Sequence, residues 1–172
     1  MKKILIILTI CLLFSGCSLN EIINNNATTF KTNYGTYSIP STWVKRNDHS
    51  TRSKYFFANR SDKNNPPNNI SVELGKNNYK AEDHMLFRTA LLLQLGNQAK
   101  TYGMTLTSNG SNTNNGYVVY TFTLKGSNQT TVQHYIVGNY KYVLVHETIF
   151  NGDEADTHNA ANVIINSFKW KE

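Results

Sequence analysis

The stretch Tyr142-Val143-Leu144-Val145-His146 constrains this chain more than any other. Side chains on a strand alternate between its two faces, and here both alternate sets are largely apolar. A sheet with one face in water would show a polar side. The strand therefore belongs in a sheet with both faces covered. Its neighbour in sequence, residues 130–137, has the same character. Gly138-Asn139 lies between them and reads as a hairpin turn, because both residues tolerate positive φ. The returning strand is then residues 140–150.

The rest of the chain supplies partners and covers. Residues 34–40 read as a strand closed by Pro40, residues 43–45 continue it after a turn, and residues 55–58 and 70–74 are further strands. Residues 60–69, with Pro66-Pro67 and several Asn, form a loop. Residues 104–107 and 117–124 are later strands. One helix is expected over residues 81–102, where Met85, Leu92, Leu95 and Ala99 recur at helical spacing and Leu86, Ala90 and Leu93 widen the face. Glu82 and Asp83 favour its start, and Gly103 ends it. A second helix, residues 153–168, turns Ala161, Ile164, Ile165 and Phe168 inward. The expected fold is α+β: an antiparallel sheet of six to seven strands covered by helices on both faces, an α/β/α sandwich.

The N-terminus carries an address. Lys2 and Lys3 precede an apolar run over residues 4–14, long enough for an export signal and too short to span a bilayer. Phe14-Ser15-Gly16-Cys17 follows, and this run resembles the bacterial lipobox. The resemblance implies cleavage before Cys17, a diacylglycerol on its thiol and a palmitate-type acyl anchor. Phe14 is a less usual choice than Leu at its position. The expected organisation is a signal over residues 1–16, a lipidated tether over residues 17–29 rich in Asn, and one globular domain over residues 30–172. Twelve flexible tether residues reach roughly 20 Å. Stable anchoring needs more than one acyl chain, which bacterial lipoproteins have. The domain is then expected on a membrane, facing the periplasm or cell exterior, on the outer membrane in a Gram-negative cell. Of the two Cys, Cys11 leaves with the signal and Cys17 is acylated, so the mature domain holds neither a thiol nucleophile nor a Cys-based zinc site.

Three stretches carry a further resemblance. Tyr34-Gly35-Thr36-Tyr37-Ser38-Ile39-Pro40-Ser41-Thr42-Trp43 is a strand, a proline, a turn and a tryptophan. Residues 69–74 lead into the long helix. Residues 160–170, with Ile164, Ile165, Ser167, Phe168 and Trp170, close the chain. Together they resemble the PsbP-like fold of PsbP, the yeast Ran-binding Mog protein and the bacterial DcrB-type lipoproteins. The resemblance implies a scaffold whose members mostly bind or stabilise other proteins. It transfers no functional residue.

Motifs for catalysis are absent from the sequence: no G-x-S-x-G elbow, no Walker loop and no G-x-G-x-x-G. His146-Glu147 opens like a zinc-protease helix, but Phe150 stands where the second His would be. It reads instead as a strand His beside a solvent-facing Glu. With a two-residue turn at Gly138-Asn139, Val137 pairs with Tyr140, and His134 and His146 point to opposite faces, unable to share a metal. A three-residue turn would reverse this. His49, His84 and His158 read as isolated. Asp153, Glu154 and Asp156 lack calcium-loop spacing and read as helix N-terminal acids. No enzyme, cofactor or metal is expected.

Lys2 and Lys3 leave with the signal, so the 17 Lys and Arg and 11 Asp and Glu reduce to about four net positive charges on the mature chain. That is too dispersed for nucleic acid. The basic stretch Lys45, Arg46, Arg52, Lys54, Arg60 and Lys63 is the candidate surface for anionic headgroups or an acidic partner. Tyr117, Tyr120, Tyr135 and Tyr142 are the candidates for an aromatic groove. The expected function is a membrane-anchored, non-catalytic lipoprotein that binds another envelope protein, in a narrower version a secretion-accessory or immunity protein. The alternatives are a hydrolase of envelope lipid or cell wall with a dispersed site, and a lipid or small-molecule carrier.

Overall fold

A computed structural model describes residues 26–150, 152 and 154–172. The signal, Cys17 and most of the tether lie outside the described residues, as does Asp153 of the acidic cluster. Ten strands and two α-helices follow in order: β1 (Ala27–Lys31), β2 (Gly35–Pro40), β3 (Trp43–Lys45), β4 (Lys54–Asn59), β5 (Asn69–Lys76), α1 (His84–Thr101), β6 (Thr105–Asn114), β7 (Tyr117–Lys125), β8 (Thr130–Gly138), β9 (Lys141–Ile149), α2 (Glu154–Ser167) and β10 (Lys169–Trp170). Ala27 opens a strand that pairs with β2 from Ala27↔Pro40 to Lys31↔Thr36. Residues 27–29, which the sequence reading placed in the tether, thus lie in a strand.

Seven strands form the main sheet in the order β3-β4-β5-β9-β8-β7-β6, all pairs antiparallel. β8 and β9 sit at its centre, as their two apolar faces require. β1, β2 and β10 make a separate three-stranded sheet that the sequence reading did not anticipate. Its third strand is only Lys169–Trp170, too short to show a period.

The alternation of β7, β8 and β9 divides the core into two clusters on opposite faces. On one face Val119, Ile136, Val143 and Val145 meet Ala160, Ala161, Ile164 and Phe168 of α2, together with Tyr37 and Ile39 of the small sheet. On the other, Tyr120, Phe122, Leu124, Tyr135 and Val137 meet Phe87, Leu91, Leu95 and Ala99 of α1. α2 lies against β2, β9 and β5, whereas α1 touches β6 and β7. The helix α1 turns its Phe87-Leu91-Leu95-Ala99 side inward, one residue every four. Met85, Leu86 and Leu93, which the sequence places on the inner face, are exposed. A helix with apolar residues on most of its circumference has two candidate faces, and the aromatic Phe87 selects the one that stacks on Tyr142 and meets Tyr135 edge-on.

The hairpin turns also differ in detail. Gly138 pairs with Lys141, so the β8–β9 turn is Asn139-Tyr140, with Tyr140 at φ 56°. Gly138 is glycine for packing: a Cβ there would stand 2.8 Å from the Trp170 ring. β6 runs on through Gly110 to Asn114, longer than the expected residues 104–107, because Asn115-Gly116 at φ 50° and 79° closes a tight hairpin onto β7. As an edge strand with little burial, its polar sequence gives no strand signal.

Gly35 ties the two ends of the domain together. A Cβ at this position would lie 2.4 Å from the Lys169 carbonyl oxygen and 3.0 Å from the Phe168 ring. Backbone cannot give way as a flexible side chain can. Gly35→Ala is expected to part β2 from β10 and to lower unfolding free energy by about 1–3 kcal/mol. Urea denaturation checks this; an unchanged midpoint would contradict the packing described.

Candidate functional site

Three strands and one helix converge on a buried carboxylate. Thr121 of β7 pairs with His134 of β8, which pairs with Val145 of β9, and Glu147 lies two residues further along that same face. Thr121 Oγ1 is 2.9 Å from His134 Nδ1, and His134 Nε2 is 2.6 Å from Glu147 Oε1. From α2, His158 Nδ1 reaches Glu147 Oε2 at 2.5 Å. Glu147 is 1% exposed, so it is a buried carboxylate rather than the solvent-facing one read from sequence. His158 is correspondingly not isolated. A buried carboxylate must have its oxygens engaged, and here each meets an imidazole. The network fastens α2 to the sheet. It engages both nitrogens of His134 and both oxygens of Glu147; His158, with a side chain 40% exposed, gives it an edge in water.

His146 points to the opposite face from His134, as its pairing with Gln133 requires. The sequence reached the same answer from a turn displaced by one residue, because the parity of the register is unchanged. Among the described residues no group of three or more His, Cys, Asp and Glu is placed to hold a metal ion. His146 lines a cavity of about 610 Å³ with Gln98, Tyr102, Met104, Thr131 and Thr148, and its Nε2 is buried without a partner.

A polar cavity of about 330 Å³ opens where β3 and β4 meet the N-terminal turn of α2. Trp43 pairs with Asn59, and the loop that follows β4 is built around Asp62. Asp62 Oδ1 accepts from the Asn64 backbone and side-chain N–H at 2.9 and 2.8 Å, and Oδ2 accepts from the Asn68 N–H at 3.0 Å. Asn68 Oδ1 in turn accepts from the Phe150 N–H at 2.8 Å. Asn59 Nδ2 donates to Asp156 Oδ2 at 2.6 Å. These bonds hold the cavity wall in one shape. Composition gave no warning of it, since an Asn-rich loop reads as solvated turn.

The basic stretch does not form one patch. Lys45 lies over the Tyr55 ring at 3.9 Å, Arg46 pairs with Asp48 at 3.4 Å and Lys54 with Glu73 at 3.6 Å, all near one end of the β3–β4 hairpin with Arg52. Arg60 and Lys63 follow the other end of β4: Lys45 pairs with Phe57, three residues or roughly 10 Å from Arg60, and Lys54 is six residues or roughly 20 Å from it. The four tyrosines also divide. Tyr120 and Tyr135 are buried under α1 with Tyr142 beside them, while Tyr117 packs on Phe168 on the other face. Burial pushes the phenols of Tyr120, Tyr135 and Tyr142 up, as expected of core side chains rather than a ligand platform.

The solution structure of cyanobacterial PsbP (CyanoP) from Synechocystis sp. PCC 6803 is similar to this chain, with a TM-score of 0.54 at 13% identity over 85% of this chain and 93% of that one. A crystal structure from Bacteroides thetaiotaomicron VPI-5482 has a TM-score of 0.45 at 11% identity over 80% of this chain and 45% of the other, too low to support an argument. No family model and no curated protein sequence matches the chain. The fold is PsbP-like, mostly antiparallel sheet with two α-helices among the described residues, as the sequence resemblance implied. At this identity the likeness shows the fold alone.

Burial, with the Lys54 charge next, pulls the His146 imidazole from 6.5 down to about 4. The unfolded chain takes up a proton below about pH 6.5 and the folded one only near pH 4. His146 therefore favours the folded state fully above pH 6.5, and that contribution drains away as pH falls to 4. The loss is roughly 3 kcal/mol at most. His146→Gln is expected to flatten the pH dependence of stability over this window. Urea titrations at pH 7, 5.5 and 4.5 check it, and parallel curves for both proteins would contradict it.

Proposed function

We propose that this chain is a non-catalytic, lipid-anchored envelope lipoprotein that binds a partner protein through the outer face of α1. The observation that carries the reading is the exposure of Met85, Leu86 and Leu93, at 57%, 58% and 70%, on a helix whose opposite side is already packed. Large apolar side chains grouped on one solvent face mark interaction surfaces. Ala90 lies between Leu86 and Leu93, and Gly96 has open space above it. Small residues beside large ones make ridges and grooves suited to an approaching helix.

Charge chooses the occupant. A helix that lies on a membrane is rich in Lys and Arg on its polar face. Between His84 and Lys100, α1 carries Arg88 as its one fully ionised side chain. A charge-depleted centre with a polar rim of Thr89, Gln94 and Asn97 matches a protein interface. The occupant is an amphipathic helix of another envelope protein. The lipobox-like run Phe14-Ser15-Gly16-Cys17 supports this reading, because a lipid on Cys17 would hold the domain at the membrane where such a partner resides. No described helix is long and apolar enough to cross a membrane.

Two outcomes are expected. A photo-crosslinking residue at Leu93, introduced into cells that make the protein, gives one dominant adduct. That adduct disappears when Leu86→Glu is added and is missing when the crosslinker sits at the exposed Asn128. Equal labelling from both positions, or none from Leu93, would sink the docking face. Separately, mass spectrometry of the mature protein shows a diacylglyceryl chain beginning at Cys17, and Cys17→Ser abolishes membrane association. An unmodified precursor would remove the anchor.

A further inference from the structure

The turn end of the β8–β9 hairpin carries two cations that nothing in the fold uses. Lys141 of β9 lies directly opposite Lys76 of β5, so both side chains leave the same face of the sheet, their Cβ atoms roughly 5 Å apart. Like charges placed directly opposite destabilise a sheet. Neither lysine makes an ion pair among the described residues. Glu73 and Glu82, the acids nearest to Lys76 in sequence, pair with Lys54 and Lys80 instead. Lys141 Nζ stands 4.5 Å over the Trp170 ring, a contact that places the ammonium without neutralising it.

Lys141 borders a cavity of about 370 Å³, inside the range of small-ligand pockets, roughly 300–1,000 Å³. The rest of its wall is largely apolar, from Ala81, Tyr117, Val137 and the Trp170 ring. Hydrogen bonds fix its shape. The Ala81 N–H donates to Asn139 Oδ1 at 2.9 Å, the Tyr140 N–H to the Tyr79 carbonyl at 2.8 Å, and Asn77 Nδ2 to the Lys141 carbonyl at 3.1 Å. Those atoms are spent on the fold, and the Trp170 Nε1–H is buried, so none of them is left for a ligand. What remains is one ammonium at the edge of an apolar wall, with a second beside it. A metal cation is repelled by both. A sugar finds few partners for its hydroxyls. A phosphate dianion calls for more donors than two lysines supply. A carboxylate accepts charge-assisted hydrogen bonds from both ammoniums, and an apolar body suits the wall. We infer that this cavity binds a small carboxylate with an apolar body, its oxygens between Lys76 and Lys141 and its body against Tyr117, Val137 and Trp170.

The cavity involves none of Met85, Leu86 and Leu93 and needs no lipid on Cys17, so it and the docking face can fail separately. The test is calorimetric titration of the full chain in lipid nanodiscs at pH 7, with empty nanodiscs as the blank. Four probes are used: hexanoate, 3-phenylpropionate and the neutral amide of each. At least one acid is expected to bind more tightly than its amide, and the tighter acid tells an aliphatic source from an aromatic one. Lys141→Gln keeps most of the stem and removes the charge. It is expected to weaken the acid about tenfold and to leave the amide unchanged. Lys76→Gln is expected to weaken the acid less, because Lys76 stands outside the cavity wall. Both changes relieve a like-charge pair, so both variants should fold. Lys125→Gln, at the exposed far end of β7, is expected to change nothing. Heat no greater than the blank with either acid at millimolar concentration, amides as tight as their acids, or Lys141→Gln no weaker than Lys125→Gln would overturn the inference.

Discussion

Everything in this domain is arranged around a hairpin that cannot tolerate water on either side. β8 is buried from Thr131 through Gly138, and β9 alternates Val143, Val145 and Ile149 with partly covered residues. A hairpin of this kind is stable only at the centre of a sheet. β5 and β7 therefore flank it, and α1 and α2 contribute to clusters on opposite faces. Among the described residues, the one acidic group this arrangement buries is Glu147. Its two oxygens are met by His134 from the same sheet and His158 from α2. The carboxylate thus becomes a directional fastener, fixing the helix at one position where apolar contact alone would permit sliding.

The features suited to binding lie away from that centre. The open side of α1 faces outward because Phe87 commits its other side to Tyr135 and Tyr142. The cavity beside Lys141 opens at the turn end of the hairpin, where β10 and the segment before α1 meet it. A rigid core with functional surface on its margins is the usual division of labour, since loops and outer helix faces can vary without disturbing the packing. The proposed acyl tether would enter this body through β1, which belongs to the small sheet rather than to either margin.

Most strands of the main sheet, its antiparallel character, the buried hairpin and the two described helices were legible because their information is local. Period, turn residues and length are written in adjacent positions. What failed was non-local. The inner face of α1 could not be chosen from its own sequence, because Leu86 and Leu93 are as apolar as Leu91 and Leu95. Only the aromatic partners across the sheet decide between them. Glu147 looked solvent-facing since its two imidazole partners come from residues 134 and 158. The small sheet escaped notice because β10 is a two-residue strand. The polar cavity is likewise a product of side chains from β3, β4, the following loop and α2, none of which signals a site alone.

The account rests on the β8–β9 hairpin being the least-opening part of the molecule. Native-state hydrogen exchange measures this directly. Amides of Val132 through Ile136 and of Val143 and Val145 are expected to exchange slowest, by global unfolding. Those of Gly110 through Asn114 on the edge strand β6 should exchange by local opening at much lower free energy. If the hairpin amides exchanged as readily as the β6 edge, the centre proposed for this fold would be in the wrong place.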